Sequence, residues 1–212
     1  MYPSWHIGIT GGIGSGKSTI TAILQAAGAW VIDTDQLART STAPDGLAIE
    51  PIRAAFGHDV IDADGAMRRD VMRQRVFNDP AAKRQLEAII HPIVLQQAQA
   101  LAATAEQQGQ QLIVYDIPLL TESEHWRKRL HRIVVVDCDK PTQMQRVMQR
   151  SGLDQATVAA IIASQASRTQ RCSIADAVIC NGVSITLTQL QSQVQALAET
   201  FGLMIGAKGS AK

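Results

Sequence analysis

Residues Gly11 to Thr19 read GGIGSGKST, so Gly11, Gly16, Lys17 and Ser18 satisfy the spacing G-x-x-x-x-G-K-[ST]. Glycines let the backbone curl until successive N–H groups point inward, which makes a cradle for phosphate oxygens, and a following helix adds the positive end of its dipole. Gly12, Gly14, Ser15, Gly16, Lys17, Ser18 and Thr19 are therefore expected to hold a nucleoside triphosphate. Lys17 reaches the β- and γ-phosphates, the Ser18 hydroxyl ligates Mg²⁺, and Thr19 stands near the α-phosphate. The competing reading is a glycine-rich turn that merely caps a helix.

Context favours phosphate binding. An apolar run from Trp5 to Thr10 precedes the loop, and Ile20, Ile23 and Leu24 follow it at helical spacing, giving strand, loop and helix in the required order. A second run, Trp30 to Ile32, leads into Asp33-Thr34-Asp35. A parallel sheet puts those two carboxylates at the same carboxyl edge as the loop. One of them can orient an acceptor hydroxyl and take its proton during phosphoryl transfer, while the other caps the next helix. Asp35 is the expected base. A third run, Leu112 to Tyr115, ends at Asp116, which could hold a water on Mg²⁺. Arg146 and Arg150, four residues apart, share a face of a predicted helix and could cover the migrating phosphoryl group; a solvated basic face is the alternative.

Other uses of such a loop fit less well. A GTPase would carry an N-K-x-D guanine reader, yet Asn78 and Asn181 are followed by Asp79 and Gly182. A mechanical or nucleic-acid-dependent ATPase would be larger or more basic and would end its third strand in paired acids, where Asp116 stands alone. Small-molecule kinases need only a nucleotide loop, an acceptor site and a closing lid.

The elements that must position these groups alternate. Apolar runs recur at Trp5–Thr10, Trp30–Ile32, Leu112–Tyr115, Ile133–Val136 and Ala177–Cys180, with helical segments between, which predicts a parallel sheet covered by helices. Nearly all of the sequence between the second and third runs reads as helix. Asp79-Pro80 is a helix start, and Leu86, Ile89, Ile90, Ile93, Val94 and Leu101 follow at helical spacing, with a kink expected at Pro92. Leu187, Leu190, Val194 and Leu197 give the last helix an apolar face, and the tail after Gly206 is expected to fray.

The chain has 212 residues, 46% hydrophobic and 18% charged, which suits a folded domain and excludes a polyelectrolyte or a rod. Lys plus Arg number 20 against 19 acids, a net charge of +1, so neither nucleic acid nor a membrane surface is an expected partner. Three cysteines without a C-x-x-C pair suggest reduced thiols in the cytoplasm, and neither a signal peptide nor a membrane span is apparent. His6, His58, His125 and His131 lack metal-ligand spacing.

The sequence resembles dephospho-CoA kinases over nearly its whole length. Beyond GGIGSGKST, the resemblance rests on Val31-Ile-Asp-Thr-Asp35 with Ala38-Arg39, where the family usually has D-A-D; Thr34 departs from it but leaves both carboxylates in place. It continues through Phe56-Gly57, Asp64-Gly65 with Arg69, Val76-Phe77, Leu86-Glu87 with His91-Pro92, and Pro118-Leu119-Leu120 with Glu122. Arg146 and Arg150, Gln165, Arg171, Ala175-Asp176 and Asn181 complete the series.

The resemblance implies an α/β P-loop fold of three layers, its five-stranded parallel sheet ordered 2-3-1-4-5. A core of residues 1–39, 109–140 and 174–206 would carry an inserted helical acceptor subdomain, 40–108, and a helical lid, 141–173. It further implies transfer of the γ-phosphate of ATP, with Mg²⁺, to the ribose 3′-hydroxyl of dephospho-CoA, the last step of coenzyme A biosynthesis. Asp35 takes the base role, and Asn181 lies near adenine unless it only forms an Asn-Gly turn. Asp33, Arg39, Arg69, Arg75, His91 and Glu122 are weaker candidates for the acceptor site; Glu122 could instead stabilise a helix N-terminus, and His91 could simply pack or cap. A nucleoside or nucleotide kinase of the same fold, or an ATP-sensing module without catalysis, remains open on sequence, as does the oligomeric state.

Overall fold

Short runs of branched apolar residues without amphipathic alternation favour strands of a parallel sheet that helices cover. Those runs form β1 (Trp5–Gly11), β2 (Trp30–Asp33), β3 (Leu112–Asp116), β4 (Arg132–Asp137) and β5 (Ala177–Cys180) in the computed structural model, which describes residues 4–200. The tail expected to fray after Gly206 lies outside the described residues. The strands build one parallel sheet in the order β2-β3-β1-β4-β5. Its register pairs Ile9 with Asp116, Gly11 with Val136, and Asp137 with Cys180. The residues that end β1, β3 and β4, together with Asn181 just after β5, therefore line one carboxyl edge.

The helices are α1 (Lys17–Ala26), α2 (Thr34–Ser41), α3 (Ile49–Phe56), α4 (Arg69–Asn78), α5 (Pro80–Gln107), α6 (Glu124–Arg127), α7 (Lys140–Ser151), α8 (Gln155–Ser164), α9 (Arg168–Ser173) and α10 (Leu187–Thr200). Ile7, Ile9, Val114, Val134, Val136 and Ile179 of the sheet pack with Ile20 and Leu24 of α1 and with Leu190, Val194 and Ala198 of α10. Each Ile, Leu or Val among them contributes roughly 1.5–3 kcal/mol when fully buried. Leu187, placed by periodicity on the buried face of α10, is 57% exposed, because it opens the first turn before the helix meets the sheet.

The described chain divides into two compact units, Asp33–Thr104 and the sheet-bearing remainder. The smaller unit has its own core: Ala48, Ile52 and Phe56 of α3, Val60, Met72 of α4, and Ala82 of α5, with Leu86, Ile89, Ile90 and Ile93 half-buried against them. Pro80 opens α5, where its missing N–H costs nothing. The helix then continues unbroken past Pro92. The kink expected there does not end the helix.

Local chemistry sets the ends of the helices nearest the loop. Asp139 caps α7 by accepting from Thr142 N–H at 2.7 Å, and that bond holds its carboxyl below the usual carboxylate range. Gly152, left-handed at φ 64°, ends α7; Asp154 caps α8 in the same manner, and Ser167 with Gln170 forms a capping box on α9. Among the described residues no helix is long and apolar enough to cross a membrane.

Candidate active site

The turn between β1 and α1 is built from backbone that only glycine adopts readily. Gly14 (φ 74°) and Gly16 (φ 88°) are left-handed. A Cβ on Gly14 would stand 2.8 Å from the Gln143 carbonyl oxygen, and one on Gly16 would strike Asn181 Nδ2. Gly16 is also the N-cap of α1 and supplies no side-chain acceptor, and the first turn holds no acid. The positive end of α1 is thus left to whatever anion meets it. Gly16→Ala is expected to destabilise the fold by about 1–2 kcal/mol through φ strain and displacement of Asn181. Thermal unfolding measures the first effect, and titration with ATP should show weakened binding; an unchanged protein on both counts would contradict this packing.

Side chains from elsewhere in the chain clamp the loop's main chain. Gln143 Nε2 donates to Ile13 O at 2.9 Å, and Asn181 Nδ2 donates to Ser15 O at 2.7 Å. Arg146 Nη1 donates to Asn181 O at 2.9 Å, with longer contacts of 3.4 Å to the carbonyls of Gly14 and Ser15. Gln165 Oε1 accepts from Ile13 N–H at 2.9 Å. Arg150, paired with Arg146 by helical spacing, is exposed and makes none of these contacts. Gln143, which sequence reasoning missed, is 3% exposed; it lies three residues before Arg146, on the same side of α7.

Two ion pairs stand at this edge. Lys17 Nζ donates to Asp116, both side chains being largely buried. Asp137, 5% exposed, accepts from Arg168 Nε at 2.9 Å and from Arg168 Nη2 at 2.6 Å, and this fork fixes α9 to the end of β4. That bonding raises the Arg168 pKa further. Glu122 is exposed, and its Oε1 accepts from Ala166 N–H at 3.0 Å, so it ties down the segment before α9. Ser18 and Thr19 lie exposed in the first turn of α1. Burial pushes the thiol of Cys138 up, away from reactivity.

The other candidates lie in the smaller unit. Asp33 caps α2, its Oδ1 accepting from Gln36 N–H at 2.9 Å, and leaves Asp35 exposed in the first turn. Arg39 is exposed at the last turn of that helix, and Arg69 Nη2 makes 3.4 Å contacts with Arg39 O and Thr42 Oγ1. Arg75 is engaged internally, donating to Phe56 O at 2.7 Å and pairing with Asp59 at 3.4 Å. His91 is exposed within α5. Among the described residues no group of three His, Cys, Asp or Glu side chains could hold a metal ion. His6 instead hydrogen-bonds Tyr115 and Glu106.

A glycine-bent loop joining the central strand to α1, in a parallel sheet of this order, defines a P-loop kinase fold, and a shikimate kinase from Bacteroides thetaiotaomicron shares it (TM-score 0.52, 15% identity, covering 94% of this chain and 99% of that one). The family model for dephospho-CoA kinase matches residues 5–186. A dephospho-CoA kinase of Albidiferax ferrireducens is 50% identical over 198 residues, 93% of each chain. The crystal structure of TT1252 from Thermus thermophilus superposes with a TM-score of 0.79 at 32% identity, covering 94% of this chain and 98% of that one. The chain belongs to the dephospho-CoA kinase family.

Proposed function

We infer that the chain transfers the γ-phosphate of ATP to the ribose 3′-hydroxyl of dephospho-CoA, giving CoA and ADP in the cytoplasm. The observation that carries the donor half of this reading is the loop itself: its carbonyls are held by Gln143, Asn181 and Arg146, and its glycine-bent backbone leads into the uncapped N-terminus of α1, where Lys17 stands paired with Asp116. The acceptor half rests on family membership.

In this reading the acceptor oxygen bonds to the γ-phosphorus as the bond from that phosphorus to the β,γ-bridging oxygen breaks. The electron pair leaves with ADP, and the hydroxyl proton passes to the Asp35 carboxylate. Loop amides and Lys17 hold the donor phosphates, and Arg146 keeps the loop in register by bracing its carbonyls. The oxygen donors Ser18 and Asp116 suit Mg²⁺, which keeps several waters and leans on substrate phosphates rather than a protein cage. When bound, it would neutralise phosphate charge. Residues 40–108, with Asp33, Arg39, Arg69, Arg75 and His91, would serve the acceptor, and residues 141–173 would form the lid, held at its far end by Glu122. Asn181 would stand close to adenine while clamping the loop.

The test offers dephospho-CoA, nucleosides and nucleoside monophosphates in parallel and follows ADP release. Acceptor-stimulated ADP release is expected with dephospho-CoA alone. Preferential turnover of a nucleoside or nucleotide would replace this substrate assignment, and ATP binding without stimulated turnover would mark a sensing module.

A further inference from the structure

Arg171 differs from the other cations around the loop. It is 6% exposed, and its Nη1 donates to the carbonyl oxygen of Ala166. Lys17 is paired with Asp116 and Arg168 with Asp137, whereas among the described residues no carboxylate lies within 4.0 Å of the Arg171 guanidinium. Arg146 is committed to main-chain oxygens. Buried charges are ordinarily paired, because desolvation of an ion is expensive.

Its position says which anion would complete the pair. A Cβ built on Gly12, the second residue of the phosphate loop, would stand 2.9 Å from Arg171 Nη2 and 3.1 Å from Cζ. The guanidinium therefore lies directly on the loop, and glycine at position 12 is what admits it. It is also held in place: Ala166 accepts from Arg171 through its carbonyl and donates its N–H to Glu122, and the capping box fixes the start of α9. A guanidinium has five N–H donors in a planar fork suited to phosphate oxygens, and one bond to Ala166 leaves several unspent.

We propose that Arg171 is a further phosphate-binding residue, donating to the terminal phosphoryl group of the donor nucleotide. During transfer, charge spreads over the three oxygens of that group while the bond to the bridging oxygen breaks and the bond to the acceptor oxygen forms, and Arg171 neutralises it. This rests on the kinase reading above, but the nucleotide contact can be tested without any acceptor.

Calorimetric titration of the full chain with ADP and with a β,γ-imido ATP analogue, both with Mg²⁺, separates the possibilities. In Arg171→Gln the affinity for the imido analogue should fall about 10- to 100-fold while that for ADP changes less than about 3-fold, the loss expected of one charge-assisted bond to the third phosphate. Arg171→Lys should recover part of the difference, because a point charge replaces a fork. Equal loss for both nucleotides in a folded variant, or no loss for either, would overturn the proposal. Should Arg171→Gln fail to fold, Arg171→Lys decides: a lowered preference for the imido analogue over ADP supports the contact, and an unchanged preference overturns it. Failure of the wild-type chain to phosphorylate dephospho-CoA would remove the acceptor assignment and leave this nucleotide comparison standing.

Discussion

Lys17→Ala is expected to lower kcat/KM for ATP by about 10²- to 10³-fold, the cost of removing one preorganised charge from a developing phosphoryl transition state. The side chain is rooted in the first residue of α1, 18% exposed, and aimed at the carboxyl edge where Asp116 meets it. Its removal does two things at once. Donor phosphates lose their ammonium contact, and Asp116, whose side chain is 12% exposed, loses its cation. Breaking such a pair from one side is destabilising by about 3–5 kcal/mol when it is fully buried, so some of the loss could come through folding. The double variant Lys17→Ala with Asp116→Asn, which removes the stranded carboxylate as well, should recover thermal stability, while the single variant Asp116→Asn shows how much activity Asp116 itself supplies. Recovery of turnover along with stability, or a Lys17→Ala enzyme with unchanged kcat/KM for ATP, would remove Lys17 from the chemistry.

Asp35→Asn should leave the Kd for ATP within about 3-fold of the wild-type value and reduce kcat by about 10²- to 10⁴-fold, the usual contribution of a positioned general base. The neighbouring carboxylate supplies the control. Asp33 is occupied as the cap of α2, and asparagine caps a helix about as well as aspartate. Asp33→Asn is therefore expected to keep most of the activity. Near-normal turnover in Asp35→Asn would exclude it as the base, and an equal fall in Asp33→Asn would transfer the role to the first carboxylate.

The D-x-D pair shows how far the sequence could be read. Two acids after an apolar run indicate one cap and one free carboxylate, since a helix start needs an acceptor for its open amides; which is which follows from geometry, and Asp33 proves to be the cap. Strand positions were equally legible. Doubly covered strands are nearly pure runs of branched residues, and all the expected runs reappear within a residue or two of their bounds. The phosphate loop, a strictly local motif, was visible entire.

Contacts carried by long side chains between distant parts of the chain were not. Arg146 and Arg150 have the same residue type and the same helical face, and nothing local tells which one reaches the carbonyls of residues 14, 15 and 181. Gln143 and Arg171 both pack on Gly12, but that contact joins α7 and α9 to a turn near the start of the chain. One hint existed. Glycine at position 12 is not demanded by the phosphate-loop pattern, and an unrequired glycine often marks a close approach by another group.

The most direct test of the central claim is the chemical position of the transferred group. ³¹P NMR of the purified chain with ATP, Mg²⁺ and dephospho-CoA should show a new phosphomonoester on the ribose 3′ carbon, appearing in equal amount with ADP. A phosphoester at another position, or ADP formed with no ester at all, would contradict it.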